Sequence, residues 1–488
     1  MSQPVDIGDR KQLFIDNRFI KSSKNVSLIM NPPAKIGPVL LPDRPWESEQ
    51  LGFCSSVVEV GGIYKMWYRC TSLVGKPGPP FGEGEAFICY AESKDGRNWS
   101  KPDLGLIEFA SCKDNNIVMK GVLEVVVFYD PHGTPEARYK AVANRYWPDP
   151  AKAGIYIHTS PDGIHWNISE TRVLPLSPDT ANQAMWDTRL GKYVAHIRAW
   201  APPGEVMDPT RRKVARVEMD DILKPWPFKP AQRPYFIWGA DKIPVVSTEF
   251  PIAFEYDDED SFSSDHYNSA AVEYQWAQDA YLMFPSFYLH FPSPPVGRLE
   301  NDGVLDIQLA VSRDGLKYLR LDRQPYIGRG PRGTRDSNSL YMAVGMLRNG
   351  QELMHYYAGY SETHGQATFS QPGGSICCAI QRLDGFISAD FAHDGGEMVT
   401  LKLQFRGNRL FLNVNTLEFG FLKVSILDED GRELPEYSLE KCDPINGDFV
   451  AKVITWQGNH NLSALAGKVV QLRFVGYFSK LYAFQFAD

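Results

Sequence analysis

Along most of the chain, apolar and polar residues alternate with a period of two in short runs, and no stretch carries an apolar stripe at helical spacing. The runs come in sets of three. Gly52 to Val60, Ile63 to Cys70 and Ala86 to Ala91 form the first set, divided by a Gly61-Gly62 turn and a Gly/Pro-rich loop from Gly75 to Gly84. The sets recur at Leu123 to Tyr129, Arg138 to Asn144 and Gly154 to Thr159, and at Asn182 to Trp186, Lys192 to Arg198 and Lys213 to Val217. They return at Tyr267 to Tyr274, Ala280 to Phe287 and Asp306 to Val311, and at Ser339 to Leu347, Glu352 to Gly359 and Gly374 to Gln381. Such alternation predicts strands with one face buried.

A recurring phrase follows the third run. It reads Ser93-Lys94-Asp95-Gly96-Arg97-Asn98-Trp99, then Ser160-Pro161-Asp162-Gly163-Ile164-His165-Trp166, then Ser312-Arg313-Asp314-Gly315-Leu316-Lys317-Tyr318. Asp-Gly suits a tight turn, and the aromatic three residues later folds back onto it. Degenerate copies lie at Ala215 to Trp226 and Gln381 to Phe386. Five long units of three or four strands predict an all-β fold, a five-bladed β-propeller. After Ala392 the runs become Thr400 to Phe405, Leu410 to Val414, Phe421 to Leu427, Val450 to Trp456 and Val469 to Phe474, a texture that predicts a β-sandwich. With the boundary near Asp394-Gly395-Gly396, the expected domains are 1–394 and 395–488.

Composition narrows the classes. Of 488 residues, 43% are hydrophobic, 23% charged and 12% aromatic, the profile of a soluble globular protein rich in aromatics. A net charge of −8 argues against nucleic acid, and Arg211-Arg212-Lys213, the single basic run, is expected to be a solvated loop. No run is long and apolar enough to suggest a membrane partner. Met1 to Asp9 has no leader-like pattern, so a cytoplasmic location is expected, or a secreted or periplasmic one if a leader has been removed. Seven cysteines at irregular spacing suggest neither a disulfide framework nor a zinc site, and no cofactor or metal motif is present. The sequence is silent on oligomeric state.

In a propeller the first strand of each blade lines the central channel, so polar residues at the strand starts converge. Those positions are Glu47 and Glu49, then Glu124, then Asp179 and Asn182, then Asp265, Tyr267 and Asn268, and finally Asp336 and Asn338. Several carboxyl groups in one pocket suit glycoside hydrolysis, one protonated as acid and another ionised as base or nucleophile. The candidates for catalysis are therefore Asp265, Asp179 and Asp336, with Glu47 or Glu49 as a fourth. Trp46, Tyr267 and Tyr341 are candidates for stacking on sugar faces, with Asp130, Asn182, Arg198, Asn268 and His364 as further binding residues. Asp130 and Asp187 lie at the opposite ends of their strands, where a turn role accounts for them.

The Ser-x-Asp-Gly-x-x-Trp hairpins, Asp130-Pro131, the run from Trp186 to Tyr193 and Leu383-Asp384-Gly385-Phe386 together resemble bacterial proteins similar to the N-terminal domain of family 32 glycoside hydrolases. The resemblance spans essentially the whole chain. It implies a five-bladed propeller, as in the fructosidase, levansucrase and arabinanase families, with three acids supplied by successive blades. Where those enzymes carry Trp-x-Asn-Asp-Pro, Arg-Asp-Pro and Glu-Cys, the nearest features here are Trp46-Glu47 or Glu49, Tyr129-Asp130-Pro131 and Asp179.

The expected function is hydrolysis of a terminal glycosidic bond, furanosidic in the related families, in an oligosaccharide or small glycoside. A non-catalytic sugar-binding propeller is the alternative. A uronate lyase using Tyr267 or His266 beside Arg198 is a third reading.

Overall fold

The computed structural model describes residues 3–72, 85–122, 124–145, 152–176, 178–199, 211–228, 235–236, 244–245, 250–293, 302–365 and 373–488. Strands and a few three-residue 3₁₀ turns make up the regular structure of the described residues, an all-β chain. The repeated sets become five antiparallel groups of strands, here called sheets, the fourth and fifth joined by a parallel pairing of Leu305 with Ser339. Sheet one holds Gln50–Val60, Ile63–Ser72, Glu85–Ser93 and Ile117–Lys120, and sheet two Glu124–Tyr129, Tyr139–Arg145, Gly154–Ser160 and Arg172–Leu174. Sheet three holds Gln183–Asp187, Lys192–Ala199, Lys213–Met219 and Ile252–Phe254. Sheet five holds Ser339–Met342, Glu352–Tyr360, Ser375–Arg382 and, from near the start of the chain, Ala34–Leu40.

Sheet four departs from the expected uninterrupted strands. It is split into Ser264–His266 with Ser286–His290 and Gly303–Ile307, and Ala271–Glu273 with Tyr281–Met283 and Ala310–Ser312. Two local causes act together. Ala270 takes a left-handed turn (φ 45°), and Pro285 removes a ladder donor between Tyr281–Met283 and Ser286–His290.

The first strands of the sheets lie side by side. Ser56 Oγ accepts from Val127 N at 3.0 Å between sheets one and two, and Gln183 accepts from Ala271 N and donates to Ala271 O between sheets three and four. Asn268 Nδ2 donates to Met342 O at 3.1 Å between sheets four and five, and Val57 N donates to Val344 O at 2.9 Å between sheets one and five.

The recurring phrase clamps neighbouring sheets together. In all three clear copies the serine Oγ accepts from the glycine N–H, while the aspartate carboxylate accepts from the amide two residues on. The turn is then gripped by the adjoining sheet: Tyr356 Oη donates to Gly96 O at 2.6 Å, and Trp67 Nε1 to Gly163 O at 2.7 Å. Arg189 reaches Asp314 O, and Tyr274 exchanges hydrogen bonds with Asp384. Glycine is required at position 163, where φ is 82° and a Cβ would stand 2.5 Å from the Trp67 ring.

Apart from the short pair Tyr235–Phe236 and Pro244–Val245, and Leu347–Asn349, which joins Glu352–Tyr360, the remaining strands form two six-stranded sheets around one apolar core that includes Phe14, Phe405, Trp456, Phe474 and Phe484. The start of the chain belongs here rather than with the repeated sheets. Val5–Gly8 pairs with Leu403–Phe405, Ile20–Lys24 with Gly396–Thr400 and Val26–Met30 with Ile387–Phe391. Apolar positions at Ile7, Phe14 and Phe19 complete that core, which is why residues 5–30 leave the expected grouping.

Candidate functional site

Where the first strands of sheets one, two, three and four meet, charged and aromatic side chains converge. Glu124, opening sheet two, is buried and accepts from Asn144 Nδ2 at 2.9 Å. Burial, then the charge of Asp179, pushes its carboxyl up to about 7. Asp179 precedes sheet three in a left-handed turn (φ 60°) and ion-pairs with Arg198 of the second strand. Its side chain keeps 21% exposure, so this carboxylate faces solvent while its partner guanidinium is buried. Asn182 holds the turn by donating to Asp179 O and Thr180 O, both at 3.0 Å, and accepts from Arg198 N.

Asp265, fully buried, accepts from Arg212 N at 3.0 Å and Arg212 Nη1 at 2.7 Å, with His290 Nε2 at 3.5 Å. Burial acts to raise its pKa, but the Arg212 charge and His290 outweigh it and hold the carboxyl below its usual value. Tyr267 lies beneath both guanidiniums, 4.4 Å from Arg198 and 5.4 Å from Arg212, measured from ring centroid to guanidinium carbon. Phe53, Tyr267 and Tyr341 meet edge to face, and Tyr341 Oη pairs with His364 Nδ1 at 2.6 Å. His364 is driven down to about 3 by burial and by Arg212 and Arg198, so its imidazole is neutral at physiological pH.

Asp179, Asp265, Asn182, Arg198, Tyr267, Tyr341 and His364 are thus brought together. The other expected residues have different surroundings. Asp336 is held by Lys35 at 2.5 Å, Thr334 Oγ1 at 2.9 Å and Tyr357 Oη at 3.0 Å, against the outer strand of sheet five rather than among the other acids. Glu47 accepts from Tyr68 Oη at 2.8 Å and pairs with Lys101 at 2.8 Å, a buried anchor whose carboxyl is pushed up by burial against the pull of Lys101. Trp46 donates from Nε1 to Asn116 and meets Phe109 edge-on, inside the core rather than on a sugar-facing wall. Glu49 is buried, and its backbone joins Thr71 and Gly373.

Asn268 bonds Met342 O and Ser286 N, a tie between sheets. Asp130 is at the far end of the Glu124 strand, paired with Lys140 and accepting from Tyr193 Oη at 2.6 Å.

The basic run is not a solvated loop. Arg212 and Lys213 are buried, bound to Asp265 and Glu255 respectively, and Arg211 stacks on Tyr256 at 3.4 Å. Three adjacent charges looked hydrated because their partners lie tens of residues away.

Glu124 was expected at a strand start but not as a catalytic group, Arg212 was expected in a solvated loop, and Arg69, Tyr288 and His290 stood out in no pattern. Strand position was the signal for Glu124. Arg69 comes from a second strand and Arg212 from just before a third strand, where period-two alternation gives no warning that a charged side chain points inward.

No family model matches the sequence, and no curated protein matches it. Among solved structures, one described as a glycoside hydrolase is similar at 14% identity, covering 72% of this chain and 92% of that chain with a TM-score of 0.47. A family 43 arabinoxylan arabinofuranohydrolase from Bacillus subtilis, in complex with cellotetraose, is similar at 12% identity over 94% of this chain and 99% of that chain, TM-score 0.37. An N-acetylgalactosamine deacetylase from F. plautii, in complex with blood group B trisaccharide, is similar at 13% identity over 74% and 96%, TM-score 0.40. Likeness this shallow identifies neither family nor substrate.

Proposed function

We propose that the five repeated sheets are the blades of a β-propeller, that the two C-terminal sheets are a β-sandwich completed by residues 5–30, and that the protein hydrolyses a glycosidic bond in the propeller's central hollow. The observation that carries this reading is the Glu124 and Asp179 pair. Two carboxyl groups from consecutive sheets act on one another, one in a buried setting that keeps it protonated near neutral pH, the other matched to a guanidinium and open to solvent. That division of environments is what acid and base roles in glycoside cleavage require.

In this mechanism Glu124 donates its proton to the leaving oxygen, and Asp179 acts at the anomeric carbon, directly or through water. Arg198 holds the Asp179 carboxylate in place through their ion pair. Tyr267, Tyr341 and Phe53 offer ring faces and edges against the sugar, a common basis for carbohydrate packing. Asp265 contributes through Arg212, whose guanidinium it orients over Tyr267.

The test is turnover of a panel of nitrophenyl furanosides and pyranosides by the wild type, Glu124→Gln and Asp179→Asn. Hydrolysis by the wild type with loss in both variants supports the proposal. Wild-type protein that binds a sugar but is as inert as the variants across the panel returns the hollow to a binding role.

A further inference from the structure

The aromatic residue that closes the recurring phrase behaves differently in the third copy. Trp99 and Trp166 spend their Nε1–H groups on the glycine carbonyls of their own turns, Gly96 O and Gly163 O, both at 3.0 Å. Tyr318 is instead buried between sheets three and four, in an apolar cluster with Val214, Phe254, Tyr281, Met283 and Ala310. Facing it, Gln183, His196 and Arg216 stand in one row across sheet three, on the side that meets sheet four. The His196 ring meets the Tyr318 ring edge to face at 5.9 Å.

Gln183 is matched by Ala271 and Ser269, but its neighbours in the row are not matched. Among the described residues, Tyr318 Oη, both ring nitrogens of His196, and Arg216 Nε and Nη2 are buried without a hydrogen-bond partner. His196 is 1% exposed and Arg216 5%. Arg216 meets Glu218 through Nη1, and the Glu218 side chain is 38% exposed, so the countercharge is partly hydrated while the other two guanidinium nitrogens are enclosed. Burying polar groups in this way is costly, most of all for a cation.

The unmatched atoms are mostly donors: the guanidinium Nε–H and Nη2–H groups, the phenol O–H and one imidazole N–H. His196 is neutral, driven down to about 3 by burial and by the Arg216 charge, so it adds no second cation and keeps one lone pair. A water molecule donates as often as it accepts and carries no charge. A small spherical anion answers both the donor excess and the positive charge, in a low dielectric that strengthens the attraction.

We propose that Arg216, Tyr318 and His196 hold a chloride ion as an internal tie between sheets three and four. This claim is independent of what the central hollow binds or cleaves.

Urea unfolding of the full chain in sodium chloride is compared with unfolding in sodium methanesulfonate at matched ionic strength. A ligand held by the folded state alone multiplies the folding equilibrium constant by one plus its concentration over Kd, so chloride at ten times Kd should raise that constant about tenfold. Bromide should act similarly. Tyr318→Phe, which removes the hydroxyl and keeps the ring, should weaken the response, and Arg216→Met should abolish it. A crystal grown in bromide should show an anomalous peak between Arg216 and Tyr318. Equal wild-type stability in the two salts, a chloride response undiminished in both variants, or ordered water without a bromide peak at those atoms overturns the inference. If Arg216→Met does not fold, the Tyr318→Phe response and the bromide peak decide between the same outcomes.

Discussion

Glu124 opens a strand of sheet two and Asp130 follows the same strand's last residue, yet their carboxyl groups are held in opposite states. Glu124 is pushed up to about 7 by burial and by Asp179. Asp130 is just as hidden from solvent, but Lys140, Tyr193 Oη and the His132 N–H overcome the burial and hold it below its ordinary value. Depth alone therefore does not decide what a buried acid does. The deciding factor is whether its neighbours deliver donors, as around Asp130, or a second negative charge, as Asp179 does for Glu124.

The most drastic way to break the contrast is to neutralise each acid in turn. Glu124→Gln is expected to lower kcat by about a thousandfold, the usual worth of a general acid, while the thermal midpoint holds or rises. Asp130→Asn should do the reverse, costing about 3 kcal/mol in urea unfolding because Lys140 loses its counter-charge, with kcat per folded molecule nearly unchanged. Parallel losses of activity and stability in both variants would remove the distinction.

Titration sharpens the same comparison. Because the folded Glu124 carboxyl titrates near 7 against an ordinary 4.5, kcat should fall as pH rises through about 7. Its contribution to stability is full below 4.5 and is lost between 4.5 and 7, as the folded state resists ionisation there. Asp130, lowered from an ordinary 3.8, contributes stability that is present above 3.8 and lost as pH falls through its folded value. Subtracting the urea stabilities of each Asn or Gln variant from wild type across pH 2 to 8 should give curves of opposite slope.

A smaller effect isolates the turns. Gly163→Ala places a Cβ against Trp67 in a left-handed conformation and should cost about 2 kcal/mol with KM unchanged. The smallest expected effect is at Asp336→Asn. Its partners Lys35, Thr334 and Tyr357 lie in sheet five and its approach, so kcat/KM should stay within about twofold of wild type.

The turns were legible in the sequence because their information is local. Ser93, Asp95 and Gly96 satisfy one another within a few residues, so the phrase can be read wherever it recurs. Asp179 and Asp265 were legible for a related reason: strand starts follow from alternation, and their side chains stay near where the backbone places them. Glu47, Asp336 and the basic run were misread because Lys101, Lys35, Asp265 and Glu255 claim them from other parts of the chain. Charge pairing across tens or hundreds of residues leaves no periodic trace. The placement of residues 3–30 depends likewise on partners hundreds of residues away, in the strands from Ile387 onward.

The antiparallel match of Ala34–Leu40 with Ser375–Arg382 has a consequence for biosynthesis. During translation the earlier segment leaves the ribosome hundreds of residues before its mate exists. Until then, the fifth sheet lacks its outer edge and the N-terminal strands lack their C-terminal partners. Closure of the fifth sheet and of the sheets that hold the N-terminal strands therefore waits on the last quarter of the chain, while sheets one to four draw their strands from neighbouring sequence.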